Sequence, residues 1–446
     1  MTDRGGRIEL TLDSMACGGD AVGRHKGQVV FAPLGIPGER VRARVTEPHR
    51  TYCRAEIEQV LEPSPSRIEP RCPLFGRCGG CQWQMMDYPS QLENKRKILA
   101  ETLARLGKTS FPGIEVIGHS TGWGYRNKAQ FPAAAAPPGL SMGYYERQSH
   151  RLVEVVQCPV LDPLLSKSWP EVRREAAGWP VEGYDERGHR GQLRHLMLRS
   201  SRREKSVMLT LVTRLPGGLD EVSGSLAGRV AGICGIHQNA NPSRGNTILG
   251  RDWRRLWGGP FQWEELAGVR LRVSPGSFLQ VNLETAGGIY AKIAEGLELG
   301  GTEKVLDLYS GVGSISLMLA ARAGKVAGIE ESEAAVGDAR AAALENGIGN
   351  CRFIAGDAGQ ALAGMEACDA VVVDPPRQGL RPGVVDAIGR LSPRRLAYLS
   401  CNPATLARDL AALSVLGFRP GRLWMADMFP QTHHIEALAI LWKEGG

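Results

Sequence analysis

The stretch VLDLYSGVGSISLMLA, residues 305–320, decides how the rest of the chain is read. An apolar run ends near Tyr309, Gly311 and Gly313 follow, and a second apolar run begins at once. Glycine lets a backbone turn tightly and approach a ligand closely, as the first strand-to-helix junction of a nucleotide-binding sheet requires. Taken alone, the pattern D-x-x-S-G-x-G from Asp307 to Gly313 is also simply a tight turn. Glu330 supplies a second signal. It closes the next apolar run, VAGIE, where a carboxylate can accept hydrogen bonds from ribose hydroxyls. The two features together favour a nucleoside cofactor held by its ribose.

From about residue 300 onward, KVLDLYS, KVAGIEE, CRFIAGD, DAVVVDPP and RRLAYLSC recur with alanine-rich helical stretches between them. That rhythm predicts βαβ units and an α/β fold with a parallel sheet. The last two apolar runs, RLWMADMFP and HIEALAILWK, have no helix between them, which predicts a closing hairpin. Ligands bind at the carboxyl ends of strands in such sheets, so the residues there are candidates. Asp374 stands at one such end, before two prolines that force the chain out of the sheet. Cys401 lies just past the fifth run, where it is either a small buried hydrophobe or an activated nucleophile. Glu436 heads the final run after His433 and His434, as a solvated strand edge or as a partly buried base. A thiol and a carboxylate beside a nucleoside site would serve addition–elimination on an aromatic base.

The other half of the chain reads differently. GQVVFAP, ERVRARVTE and CRAEIEQVLEP are short alternating runs between turns, which predicts a small β-barrel over 1–62, and EPSPSRIEP is a linker. RCPLFGRCGGCQWQ carries Cys72, Cys78 and Cys81, three thiols that lack a fourth partner nearby. The stretch from Tyr88 to Gly107 has helical period, with Ser90 available as a cap, and residues 120–275 mix strands and helices. The run from Arg190 to Lys205 is rich in cations and fits either a solvated face or a phosphate-contacting surface. The chain has 446 residues, enough for two or three domains, with 43% hydrophobic residues, ten cysteines and a net charge of +7. No run reaches membrane-span length and MTDRGGRIEL has no apolar signal core, so a cytoplasmic protein is expected, with thiols or metal ligands rather than disulfides. The positive charge permits a polyanionic partner.

DLYSGVG, DPPR, SCNPATLARD and FPQTHHIE, in this order, resemble the bacterial RNA uracil-C5-methyltransferases over essentially the whole chain. The resemblance implies an RNA-binding TRAM barrel of OB type over 1–62, a mixed α/β central RNA-binding domain over 70–280, and a class I (Rossmann-like) methyltransferase domain over 281–446. It implies S-adenosylmethionine as methyl donor, bound by Gln280, Tyr309, Glu330, Asp374 and Asp357, with Cys401 as nucleophile and Glu436 as base. It also implies that Cys158, in VVQCPV, joins Cys72, Cys78 and Cys81 around a [4Fe–4S] cluster, although four thiolates suit zinc equally by count. The expected partner is RNA, 23S rRNA first and tRNA as the alternative, acted on by a monomer. A catalytically silent RNA-binding or assembly factor is the rival reading.

Overall fold

The computed structural model describes residues 3–136 and 139–444 of the protein. The chain opens with five strands, Arg7–Met15, Ala21–His25, Gln28–Ala32, Arg40–Pro48 and Tyr52–Glu62, closed into a barrel. Alternation makes it: in the first strand Ile8, Leu10 and Leu12 face the core while the residues between them face water. On the outside, Arg40 and Arg42 pair with Glu9, and Arg44 with Glu56, so much of that basic surface is already neutralised.

The C-terminal half contains the predicted parallel sheet. Lys304–Leu308, Lys325–Glu330, Cys351–Ala355, Ala370–Val373 and Arg395–Ser400 are parallel, and the hairpin Phe418–Ala426/Glu436–Lys443 closes the sheet antiparallel. With its strands numbered in chain order, this half reads 3-2-1-4-5-7-6 across the sheet. The order reverses between Lys304–Leu308 and Ala370–Val373, so the ends of those two strands border the ligand crevice. Helices Leu283–Leu297, Ser314–Ala320 and Glu333–Glu345 pack on one side, and Pro382–Leu391 and Pro403–Val415 on the other.

Between barrel and sheet lies a second, seven-stranded sheet formed by Lys128–Ala136, Gly139–Tyr145, Leu152–Glu154, Leu193–Ser201, Ser206–Thr213, Ile233–Ala240 and Asp252–Gly258. Helices Pro163–Ala176 and Asp220–Arg229 cover one of its faces over Phe131, Leu196, Leu198 and Leu209. The basic run from Arg190 to Lys205 largely forms one of these inner strands. Arg194 is buried and donates to the Asn241 and Ser243 carbonyls, so this part of the run is not a solvated face.

Two segments expected in the central domain pack instead with the C-terminal half. Strand Glu115–Ile117 adds to the edge of the parallel sheet beside Phe418–Ala426. Hairpin Gln262–Leu266/Val269–Val273 packs with helix Glu333–Glu345. The helix expected at 88–107 is a regular helix only over Tyr88–Thr102, followed by a wider turn over Leu103–Gly107. Asp87, not Ser90, caps it: its carboxylate accepts from the Ser90 N–H at 2.8 Å. Ile98 and Leu99 of this helix join Trp83, Met85 and Met86 in one core that is continuous from the barrel to the sheet. Burying each such side chain contributes about 1.5–3 kcal/mol.

Candidate functional site

The first strand of the parallel sheet delivers Tyr309 with φ 65°, then Gly311 at 55° and Gly313 at 80°. Gly313 is required by space, since a Cβ there would lie 2.6 Å from Phe353. Gly311 faces open space, with nothing within 4 Å of where its Cβ would be. Glu330 fixes the turn: its carboxylate accepts from the Gly311 N–H at 3.0 Å and from the Ser332 N–H at 2.8 Å. Under the turn, Asp307 accepts from the Ser316 hydroxyl at 2.5 Å, while its other oxygen and the Ser310 hydroxyl are buried without a protein partner. An open glycine turn, a carboxylate at the next strand end and two unpartnered polar atoms suit a polar nucleoside ligand.

The other candidate donor residues vary in their engagement. The Gln280 carbonyl accepts from Asn127 at 3.1 Å, which ties its loop to the central sheet. Asp357 is occupied: it caps the short helix Ala358–Ala361 and pairs with Arg381 at 2.6 Å. Asp374 follows the fourth strand, and burial together with Asp307 pushes its carboxyl up to about 7.

Cys401 and Glu436 lie at neighbouring strand ends. Cys401 is half-buried just past Arg395–Ser400, and Glu436 is the buried first residue of Glu436–Lys443, the antiparallel neighbour of that strand. Burial raises the Cys401 thiol to about 11, helped by Glu436 and Asp374 and opposed by Arg377. Burial, then Asp374, pushes the Glu436 carboxyl well above the usual range, again against Arg377. Arg377 is therefore the cation that faces both Cys401 and Glu436. Its role was not drawn from the sequence, although DPPR displays it. Its backbone is held because the Asn402 amide donates to the Arg377 carbonyl at 3.1 Å, so the SCNP turn grips the DPPR turn.

The loop before Glu436 is anchored from the other half of the chain. Asp427 and Lys95 form a fully buried pair at 2.7 Å, and Lys95 also donates to the Phe429 carbonyl at 3.1 Å. The N–H groups of Gln82 and Trp83 donate to the Gln431 carbonyl at 3.0 Å each. Gln82 and Trp83 directly follow Cys81, so the cysteine segment and the Glu436 loop share a wall.

Cys72, Cys78, Cys81 and Cys158 come together closely enough to influence one another's ionisation. The Gly80 N–H points at the Cys78 sulfur at 3.4 Å. Gly79 is constrained to glycine because a Cβ would lie 2.8 Å from the Tyr145 carbonyl. Among the described residues no group of three or more His, Cys, Asp or Glu side chains is arranged around a single metal ion. Four thiol sulfurs by count suit either zinc or an iron–sulfur cluster.

The sheet order and the glycine turn define a class I S-adenosylmethionine-dependent methyltransferase. A tRNA (uracil-5-)-methyltransferase family model matches residues 268–444, and a TRAM-domain model matches residues 3–57. The chain is 38% identical over 443 residues to an uncharacterized RNA methyltransferase of Thermosynechococcus vestitus, covering 98% of each chain. It is 36% identical over 442 residues to one of Halalkalibacterium halodurans, covering 97% of this chain and 96% of that one. Its structure resembles Pyrococcus abyssi tRNA (uracil-54, C5)-methyltransferase in complex with S-adenosyl-L-homocysteine, with TM-score 0.78, 28% identity, and 97% of this chain and 100% of that one covered. The chain belongs to the family of TRAM-bearing RNA uracil-C5-methyltransferases. Among the described residues no helix is long and apolar enough to cross a membrane.

Proposed function

We propose that the protein methylates C5 of a uridine in RNA, 23S rRNA first, through a covalent bond between Cys401 and uracil C6. The observation that carries this reading is the convergence of Cys401, Glu436, Asp374 and Arg377 at the ends of adjacent strands beside the glycine turn. Uracil C5 is a poor nucleophile. Addition of the Cys401 sulfur to C6 places an electron pair on C5 and the C4 carbonyl, which makes C5 reactive. S-adenosylmethionine, when bound, would supply an electrophilic methyl group to C5 and leave as S-adenosylhomocysteine. Tyr309, Gly311 and Glu330 would form its cradle, with Gln280 and Asp374 on the flanks. Glu436 then takes the C5 proton, the C6–S bond breaks, and Cys401 leaves as the thiolate. Arg377 favours the thiolate and the ionised base, which burial otherwise disfavours. A silent RNA-binding factor would have no need of these four groups in one crevice.

A tRNA uridine is the second reading, favoured by the full-length similarity to the Pyrococcus abyssi enzyme. Because that enzyme is covered whole, the barrel and central sheet do not separate the two substrates. Incubation with each transcript and labelled methyl donor does: label in the C5-methyluridine of 23S rRNA supports the first reading, and label in tRNA alone replaces it with the second. We further propose that Cys72, Cys78, Cys81 and Cys158 hold a [4Fe–4S] cluster that ties the segment after the barrel to the central sheet. Analysis of anaerobically purified protein should find about four irons and four acid-labile sulfides per chain. Stoichiometric zinc without sulfide would replace that assignment. The protein is expected to act as a cytoplasmic monomer.

A further inference from the structure

The central sheet has a second face, opposite the one its helices cover. Lys128 and Arg199 stand on it as a directly opposed cross-strand pair. With Met197, Met208, Thr210 and Pro275 they line a small open hollow. Like charges placed directly opposite repel, and burial makes the repulsion stronger. A third cation adds to it: the Arg126 Nε donates to the carbonyl of Lys128 itself at 2.9 Å. Burial, then Arg199 and Arg126, lowers the Lys128 ammonium to about 7.

Among the described residues no acid pairs directly with either cation. Among the described residues the Lys128 ammonium has no hydrogen bond or ion pair, and Arg199 donates only to the Ser277 carbonyl, at 2.5 Å. Asp338, the carboxylate Arg199 senses, is already taken by Arg272, Ser274 and Ser277. Folding alone gives no reason to hold two basic side chains without an acid partner side by side in a half-buried hollow. An anion brought by a ligand would supply the missing charge.

The place of the hollow indicates which anion. Arg199 holds Ser277, three residues before Gln280, and Asn127, the neighbour of Lys128, binds the backbone of Gln280 and Val281. The hollow therefore shares a wall with the loop that carries Gln280, proposed above to flank the methyl donor, and Phe278 of that loop is 59% exposed. We propose that Lys128 and Arg199 form a phosphodiester contact at the mouth of this hollow, whose volume of about 10 Å³ admits one oxygen of a backbone phosphate of the RNA next to the target uridine. This rests on the RNA-methyltransferase reading above and adds to it the residues that set the strand's register.

The test uses the full-length protein, an RNA transcript that the wild type methylates, and the variants Lys128→Met and Lys128→Arg. Lys128→Met should weaken RNA binding about tenfold near 0.1 M salt and flatten the plot of log affinity against log salt by about one. Lys128→Arg should keep the wild-type slope. Methyl-donor affinity should stay unchanged in both, and the melting temperature of Lys128→Met should not fall, since an unpaired buried charge has been removed. RNA should also protect Lys128 from acylation at neutral pH. A Lys128→Met variant that methylates with wild-type slope and affinity would overturn the site while leaving the enzyme assignment intact. A wild type that binds and methylates no RNA would overturn the enzyme assignment and the site with it.

Discussion

Cys81 and Cys401 sit far above the ordinary thiol range for the same first reason, burial, at about 12 and about 11. Acidity therefore does not separate the proposed nucleophile from the proposed cluster ligand. Their neighbours do. Around Cys81 are Cys72, Cys78 and Cys158, with Gln84 as hydrogen-bond partner, a surround that favours soft metal ligation. Around Cys401 are two carboxyls, Glu436 and Asp374, and one cation, Arg377, a surround through which a proton and a charge can move. The comparison teaches that a buried thiol acquires its role from the charges that face it.

The largest effect that could break this contrast is the loss of Cys401. Cys401→Ala should lower methyl transfer by about 10⁴-fold or more, the scale of deleting a covalent nucleophile. Cys81→Ser should lose iron and yet still form a covalent adduct with 5-fluorouridine RNA. The reverse pattern, adduct without Cys401 or none without Cys81, would exchange the two roles.

Next is the anchor that lets the two regions meet. Lys95→Met leaves Asp427 buried and unpaired, which should cost about 3–5 kcal/mol in denaturant unfolding. A loss below about 1 kcal/mol would mean that the Glu436 loop is held mainly by Gln431 and its partners. Glu436→Gln should slow turnover by about 10²–10⁴-fold, the usual range for a general base. Because the adduct forms before the proton leaves, this variant should accumulate enzyme–RNA adduct on natural uridine, visible on a denaturing gel.

The smallest effect sharpens the electrostatics. Cys401 alkylation should rise with pH up to about 11. Removing the cation in Arg377→Gln disfavours the thiolate, so alkylation at pH 9 should fall by roughly tenfold for each pH unit the thiol moves up. Removing the negative neighbour in Glu436→Gln acts in the opposite direction and should speed it. Shifts of the same sign in both variants would contradict the assignment of Arg377 as the opposing cation.

Much of the parallel sheet could be read from sequence because it is local: each strand is a short apolar run, and most of the candidate residues lie at a strand end. Tyr309, Glu330, Asp374, Cys401 and Glu436 all lie at such ends. What escaped was long-range or short. Strand Glu115–Ile117 has three residues and no readable period, and only the neighbouring strand gives it a place. The Lys95–Asp427 pair joins residues 332 positions apart, and an isolated lysine in a helix signals nothing of it. Lys128 and Arg199 were invisible for the same reason: each is an ordinary cation until the sheet sets them face to face.

The central claim is that a fifth thiol, outside the cysteine group, bonds to uracil. Fluorine at C5 blocks proton removal, so 5-fluorouridine RNA with methyl donor should trap the protein as a denaturation-stable complex. Proteolysis and mass spectrometry should place the RNA on Cys401, with one methyl group transferred per adduct. Efficient turnover of natural RNA with no trapped complex, or a complex mapped to Cys72, Cys78, Cys81 or Cys158, would contradict it.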